Sequence, residues 1–204
     1  MKNLRPFNKL PRNFYTRDVI TVAKELLGKV LVKKEGRELL SGLIVETEAY
    51  DGSVDQAAHT FIGRTKRNEI MFNYGGYFYV YFTYGAHFCC NIVTGKKEEG
   101  TAVLIRAVEP LTGIKQMTEN RFNKTLVNDK EKINLTNGPG KVCKAFNINK
   151  EHYGLDLTGN SVFVLDRPRL SNKDIVITKR IGIKKSVDLP WRFFIKDNSY
   201  VTKR

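Results

Sequence analysis

Cysteine is scarce in this chain: Cys89 and Cys90 stand side by side and Cys143 stands alone. Three thiols without a C-x-x-C spacing exclude a disulfide framework and a paired zinc knuckle. They point instead to a reducing compartment, with each thiol acting as a small buried hydrophobe. No apolar run approaches the roughly 20 residues that a membrane-spanning helix needs, and MKNLRPFNKLPRNFY carries charge without an apolar signal core. The expectation is a soluble protein with no membrane partner, in a bacterial cytoplasm, or in the nucleus if its source is eukaryotic. Internal repeats, low-complexity tracts and composition shifts are missing too, so the 204 residues are expected to form one domain, 1–204. Such a chain buries roughly 70% of its unfolded surface.

Acidic residues are outnumbered, with 21 Asp and Glu against 35 Lys and Arg and a formal net charge of +14. A phosphate backbone is therefore the leading partner and an anionic membrane a distant second. The cations cluster, as Arg64, Lys66 and Arg67; Lys96 and Lys97; Lys141 and Lys144; and Lys179, Arg180, Lys184 and Lys185. One such run is ordinarily a solvated loop, whereas several in an aromatic-rich chain fit a nucleic-acid surface.

Thr16 is placed to cap a helix from Arg17 to Leu27, after which Lys29–Lys33 and Leu39–Tyr50 read as a hairpin with a loop longer than the tightest type. Tyr77–Tyr84, YFYVYFTY, is the clearest strand, and Phe88–Val93 with Thr101–Val108 forms a second hairpin. Leu111–Phe122 has a helical pattern, Asn123–Leu135 reads as a polar surface excursion, and Asn137-Gly138-Pro139 opens a short helix. Strands resume at Val162–Leu165, Ile175–Arg180 and Arg192–Ile195. Hairpins with helices outside them predict an α+β domain, a mainly antiparallel curved sheet with helices packed around it.

Two stretches carry chemistry. In VETEAYDGSVDQAAH, Val45–His59, strand alternation puts Glu46, Glu48 and Tyr50 on one face and Val45, Thr47 and Ala49 on the other. In the aromatic strand Tyr77, Tyr79 and Tyr81 share one face, and Phe78, Val80, Phe82 and Tyr84 the other. Tyrosine offers a flat face for stacking on an unstacked base and a polar tip. For Tyr77 and Tyr79 a core edge with hydroxyls reaching water is the expected role, while Tyr84, just before Gly85, suits an exposed position.

LLGKVLV, GLIVETEAY, DQAAH, RTKRNEIMF, YFYVYFTYGAHFCCNIV, AVLIRAVEPL and LTNGPGKVCKAFNI, in this order and spacing, closely resemble the alkyladenine (3-methyladenine) DNA glycosylases, which cut damaged purines from DNA. The likeness runs from about Leu26 to Ile148 and returns at KRIGI and PWRFFI; Asn123–Leu135 and the final residues match nothing in it. The resemblance implies monofunctional hydrolysis without metal or organic cofactor, by a monomer acting on double-stranded DNA that contains damaged purines. It implies that Glu48 polarises a water for attack on C1′, with Arg106 and a backbone carbonyl near Ile181 on the same water. Tyr50, His59 and Tyr81 would sandwich and hydrogen-bond the flipped base, Tyr84 would enter the duplex in its place, and Asn91 would disfavour the exocyclic amine of guanine. Arg64, Lys66, Arg67, Lys141 and Lys144 are the expected contacts to the DNA backbone.

General physics agrees with that set, because chemistry at a glycosidic bond requires an unstacked nucleotide, an aromatic pocket and a carboxylate facing an oxocarbenium-like centre. Glu46 is expected to be structural or close to phosphate, and His87 and His152 to be satisfied structural groups. A module that only binds distorted DNA or RNA would share the charge and the tyrosines but would not require Glu48 with Arg106 and His59. Carbohydrate hydrolysis by Glu46 and Glu48 is the weaker alternative, since neighbours two apart on one strand do not flank a scissile bond from opposite sides.

Overall fold

The computed structural model describes residues 8–36, 38–83, 85–125 and 127–203. The hub of the molecule is a long strand, β2 (Glu38–Asp51), which pairs on one edge with β5 (Thr101–Thr112). On its other edge β2 pairs first with β1 (Val30–Glu35) and then with β8 (Arg192–Ile195). Beyond β5 lie β4 (His87–Thr94) and β3 (Phe78–Thr83); β6 (Val162–Leu165) flanks β1, and β7 (Ile175–Thr178) flanks β8. All these pairs are antiparallel, which gives one curled eight-stranded sheet. The class is the α+β arrangement that the sequence predicts.

Where β2 exchanges β1 for β8, its ladder with β5 is irregular. Ile44 pairs with Val108, Glu46 with Ala107 and Thr47 with Ile105, so Val45 and then Arg106 is the extra residue. Such bulges bend a strand and re-aim its side chains. One face of the sheet carries the main core, with Phe78, Ile92, Val103 and Ile105 fully buried. Each contributes about 1.5–3 kcal/mol by leaving water. The helices α1 (Arg12–Tyr15), α2 (Val19–Leu26) and α5 (Pro139–Ala145) pack on that core. Helix α2 buries Val19, Val22, Ala23 and Leu26, a 3.6-residue stripe, and is capped by the Asp18 side chain on the Thr21 N–H at 2.8 Å.

Several boundaries differ from expectation. Asp18, not Thr16, caps α2, and the first hairpin pairs out to Glu35 and Glu38, beyond the expected ends at Lys33 and Leu39. Strand β5 continues through Leu111 to Thr112, and α3 (Ile114–Phe122) starts only after Gly113, whose φ of 77° reverses the chain. The supposed excursion 123–135 contains α4 (Asp129–Asn134), closed by an Asn128/Glu131 capping box and followed by a fully buried Leu135. Leu135 joins the main core.

Candidate active site

Strand register builds the site. Glu48 pairs with Leu104, Leu104 with Asn91, and Asn91 with Tyr79, a straight row across β2, β5, β4 and β3. Three strand spacings make that row about 14 Å long. Tyr50, Arg106 and Tyr81 lie beside it on the same concave face, and His59 and the segment 181–185 close over it, leaving a cavity of about 520 Å³. Gly52 lets the chain turn there: a Cβ on it would stand 2.2 Å from Thr60 Oγ1. Gly182, with φ of 77°, permits the bend after Ile181.

Glu48 is fully buried beneath this cavity. Its Oε1 accepts the Ile181 N–H at 2.8 Å, while Oε2 accepts the Tyr50 hydroxyl at 2.8 Å and faces Arg106 Nη1 at 3.2 Å. Ile181 thus turns its backbone N–H to the carboxylate. A carboxylate accepts roughly four hydrogen bonds, so one position remains for a further donor. Burial alone would lower the pKa of Arg106, but the charges of Glu48 and Glu46 outweigh it and hold it above its ordinary value. Burial, reinforced by the Glu48 charge, raises that of Tyr50, which keeps its hydroxyl protonated as a donor.

Glu46 is fully buried as well, which excludes a phosphate-proximal place for it. Its Oε1 accepts Arg106 Nε at 3.0 Å and Arg192 Nε at 2.7 Å, and its Oε2 accepts the Thr202 N–H at 2.8 Å. Arg192 Nη2 in turn donates to the Thr202 carbonyl at 3.1 Å. Neither Arg192 nor Thr202 stands out in the sequence as a member of this network.

Opposite Glu48 stands an aromatic wall. Tyr79 and Tyr81 stack at 5.3 Å and 28°, and His59 meets Tyr81 edge-on at 4.6 Å while its Nδ1 lies 2.8 Å from the Tyr79 hydroxyl. Tyr79 is therefore a buried cavity residue that orients His59, not a core-edge tyrosine reaching water. Tyr77 sits under the Arg12 guanidinium at 4.8 Å. Burial pushes the Tyr79 pKa up to about 12 and raises that of Tyr81, while burial and the Arg67 charge lower that of His59. Asn91 Nδ2 donates to the Tyr79 carbonyl at 3.1 Å. Cys89 also lines the cavity, its thiol pushed up to about 11 by burial. Tyr84, the expected intercalating side chain, lies outside the described residues.

The basic residues divide. Lys66 and Lys144 are exposed. Arg64 pairs with Glu98, and Arg67 donates to the Phe82 carbonyl at 3.1 Å and lies 5.3 Å from the Tyr81 ring. Lys141 is bound by Asn134 and Asn137, and burial lowers its pKa. Lys184 and Lys185 sit at the cavity, but Arg180, grouped with them by sequence, is buried against Asp55 and offers no surface charge. Among the described residues no group of three or more His, Cys, Asp or Glu side chains is arranged to hold a metal ion, and no helix is long and apolar enough to cross a membrane.

The geometry is thus a buried, donor-held carboxylate under an aromatic cavity. The sequence profile of the methylpurine-DNA glycosylase family matches residues 13–199, and the chain belongs to that family of N-glycosyl hydrolases in DNA repair. It is 47% identical over 202 residues to a provisionally named 3-methyladenine DNA glycosylase of Clostridium novyi, covering 96% of this chain and 99% of the relative. A relative of the same name from Alkaliphilus oremlandii is 46% identical over 202 residues, covering 96% and 100% of the two chains. Another from Carboxydothermus hydrogenoformans is 47% identical over 196 residues, covering 96% and 99%.

Proposed function

We propose that this chain, as one monomeric domain over residues 1–204, flips alkylated or deaminated purines out of duplex DNA and hydrolyses their N-glycosidic bond, leaving an abasic site. The observation that carries this reading is Glu48, buried below an aromatic cavity with three donors on its carboxylate and one acceptor position left. That position is taken by the attacking water. As the C1′–N bond breaks, the purine leaves with the bonding pair, the water oxygen bonds C1′, and a water proton passes to Glu48. A cationic lesion such as 3-methyladenine or 7-methylguanine departs neutral, whereas hypoxanthine and ethenoadenine are poorer leaving groups. Arg106 stabilises the ionised carboxylate. Tyr50 and the pair His59 and Tyr81 hold the base between them, and Tyr84 fills the gap it leaves. Asn91 stands against the edge where guanine carries its 2-amino group. Arg64, Lys66, Arg67, Lys141 and Lys144 take backbone phosphates. The chemistry uses no metal or organic cofactor, and the substrate is chromosomal DNA in the cytoplasm of a bacterial cell.

The test is incubation, without added metal, with duplexes that each bear one defined lesion, followed by alkaline cleavage of abasic sites. Strand scission at a methylated or deaminated purine is expected. Tight lesion binding with no alkali-labile product on any duplex would replace the hydrolase with a binding module.

A further inference from the structure

Arg180 is a cation with no exposed side-chain surface in a chain rich in exposed ones. Its guanidinium grips Asp55 with both terminal nitrogens, Nη2 reaching Oδ1 at 2.8 Å and Nη1 reaching Oδ2 at 2.5 Å. Nη1 also donates to the Ala49 carbonyl at 3.0 Å and Nη2 to the Ser186 carbonyl at 3.3 Å. The plane lies 4.6 Å from the Tyr50 ring centroid and 5.5 Å from that of Trp191. Three segments that border the cavity are thus tied to one side chain: the end of β2, the turn from Asp55 towards His59, and the stretch 181–186. A second tie, Gln56 N–H to Ser186 Oγ at 3.0 Å, joins the last two.

Arg180 does not touch Glu48, yet it stacks on Tyr50 and adjoins Ile181, which supply two of the three donors to that carboxylate. We propose that Arg180, locked by Asp55, is a positioning residue for the reaction: it holds the Tyr50 hydroxyl and the Ile181 N–H on Glu48 and makes no contact with DNA phosphate. A bidentate guanidinium suits this task because its fork fixes orientation as well as distance. The inference rests on the hydrolytic role assigned to Glu48.

The test compares Arg180→Gln, Asp55→Asn and the charge-free pair Arg180→Met with Asp55→Leu, on a duplex carrying one hypoxanthine. Single-turnover base release at saturating protein, duplex Kd, its salt dependence and the thermal midpoint are measured. Both single variants are expected to slow release by about 10–100-fold while Kd stays within threefold and the salt slope is unchanged. The charge-free pair should recover thermal midpoint relative to the singles, since it leaves no unpaired buried charge, without recovering rate. A salt slope reduced by about one in Arg180→Gln, with the saturated rate intact, would make Arg180 a phosphate contact. Full rate in the charge-free pair would reduce the clamp to folding alone. Absence of base release by the unaltered protein would instead overturn the hydrolytic reading itself.

Discussion

Two glutamates lie two residues apart on one strand face, both fully buried, and their surroundings make them opposites. Glu46 accepts from two arginines and a backbone N–H, and of these donors only Arg106 lines the cavity. Glu48 has one arginine contact and two neutral donors, all from residues that line the cavity. Arg106 spans the two, with Nε on Glu46 and Nη1 on Glu48. Each carboxylate accepts three donors, so the difference teaches that a carboxylate's use follows from whether those donors border the cavity, rather than from its place in the sequence.

The sharpest way to break the comparison is to exchange the two defects. Glu48→Gln keeps size but turns one acceptor oxygen into a donor and removes the base, so single-turnover base release should fall by about 10³-fold with lesion-duplex affinity within tenfold. Near-normal turnover would end the proposed mechanism. Glu46→Gln leaves Arg106 and Arg192 short of a countercharge, and breaking a buried ion pair costs about 3–5 kcal/mol. At 2–4 °C per kcal/mol for a chain of this size, its thermal midpoint should drop by roughly 10 °C, more than for Glu48→Gln, while its rate per folded molecule falls less. If the rates rank the other way, the base has been assigned to the wrong glutamate.

Farther along the row, Asn91→Ser should raise excision of undamaged guanine relative to hypoxanthine by about tenfold, as a shorter side chain relaxes exclusion of the 2-amino group. Asn91 also bonds the Tyr79 carbonyl, so a lowered midpoint with an unchanged rate ratio would leave it as architecture alone. Exposed Lys66 is a smaller matter: Lys66→Gln should lower the salt slope of duplex affinity by about one and leave the saturated rate alone.

The smallest expected effect is on stability against pH. Burial and Arg67 hold the pKa of His59 below its usual value, and burial and Lys33 do the same for His152. Just below pH 6.5 the unfolded chain therefore binds more protons than the folded one, so this contribution is intact above about pH 6.5 and is lost as pH falls through the lowered values. Urea midpoints at pH 7.5 and 5.5 should differ in that sense, and less so in Arg67→Gln. An unchanged difference in that variant would remove Arg67 as a cause.

Much of the fold was legible because alternation and turn residues are local signals: β6 and β8 occupy the expected ranges, and Pro139 opens its helix. The candidate site was legible through the ordered motifs, whose expected residues Tyr50, His59, Tyr81, Asn91, Arg106 and Ile181 border one cavity. What the sequence hid depended on distant partners. Tyr79 looked like a core-edge residue until His59 closed onto its hydroxyl. Arg180 sat in a basic run, and composition could not reveal an Asp55 lying 125 positions away. The bulge at Arg106 has no residue signature; it lies where β2 exchanges β1 for β8.

The bond between Glu46 and Thr202 joins residues 156 positions apart. At 5–20 residues added per second, a nascent chain that has already presented Glu46 waits roughly 8–30 s for its capping N–H to be made. Until Arg192 and Thr202 have been made, Arg106 alone meets that carboxylate, and the strand carrying Glu48 lacks its final brace. Synthesis order therefore delays completion of this network until residue 202 has been made, so a product ending before it would carry most of the clustered cations without the finished support beneath Glu48.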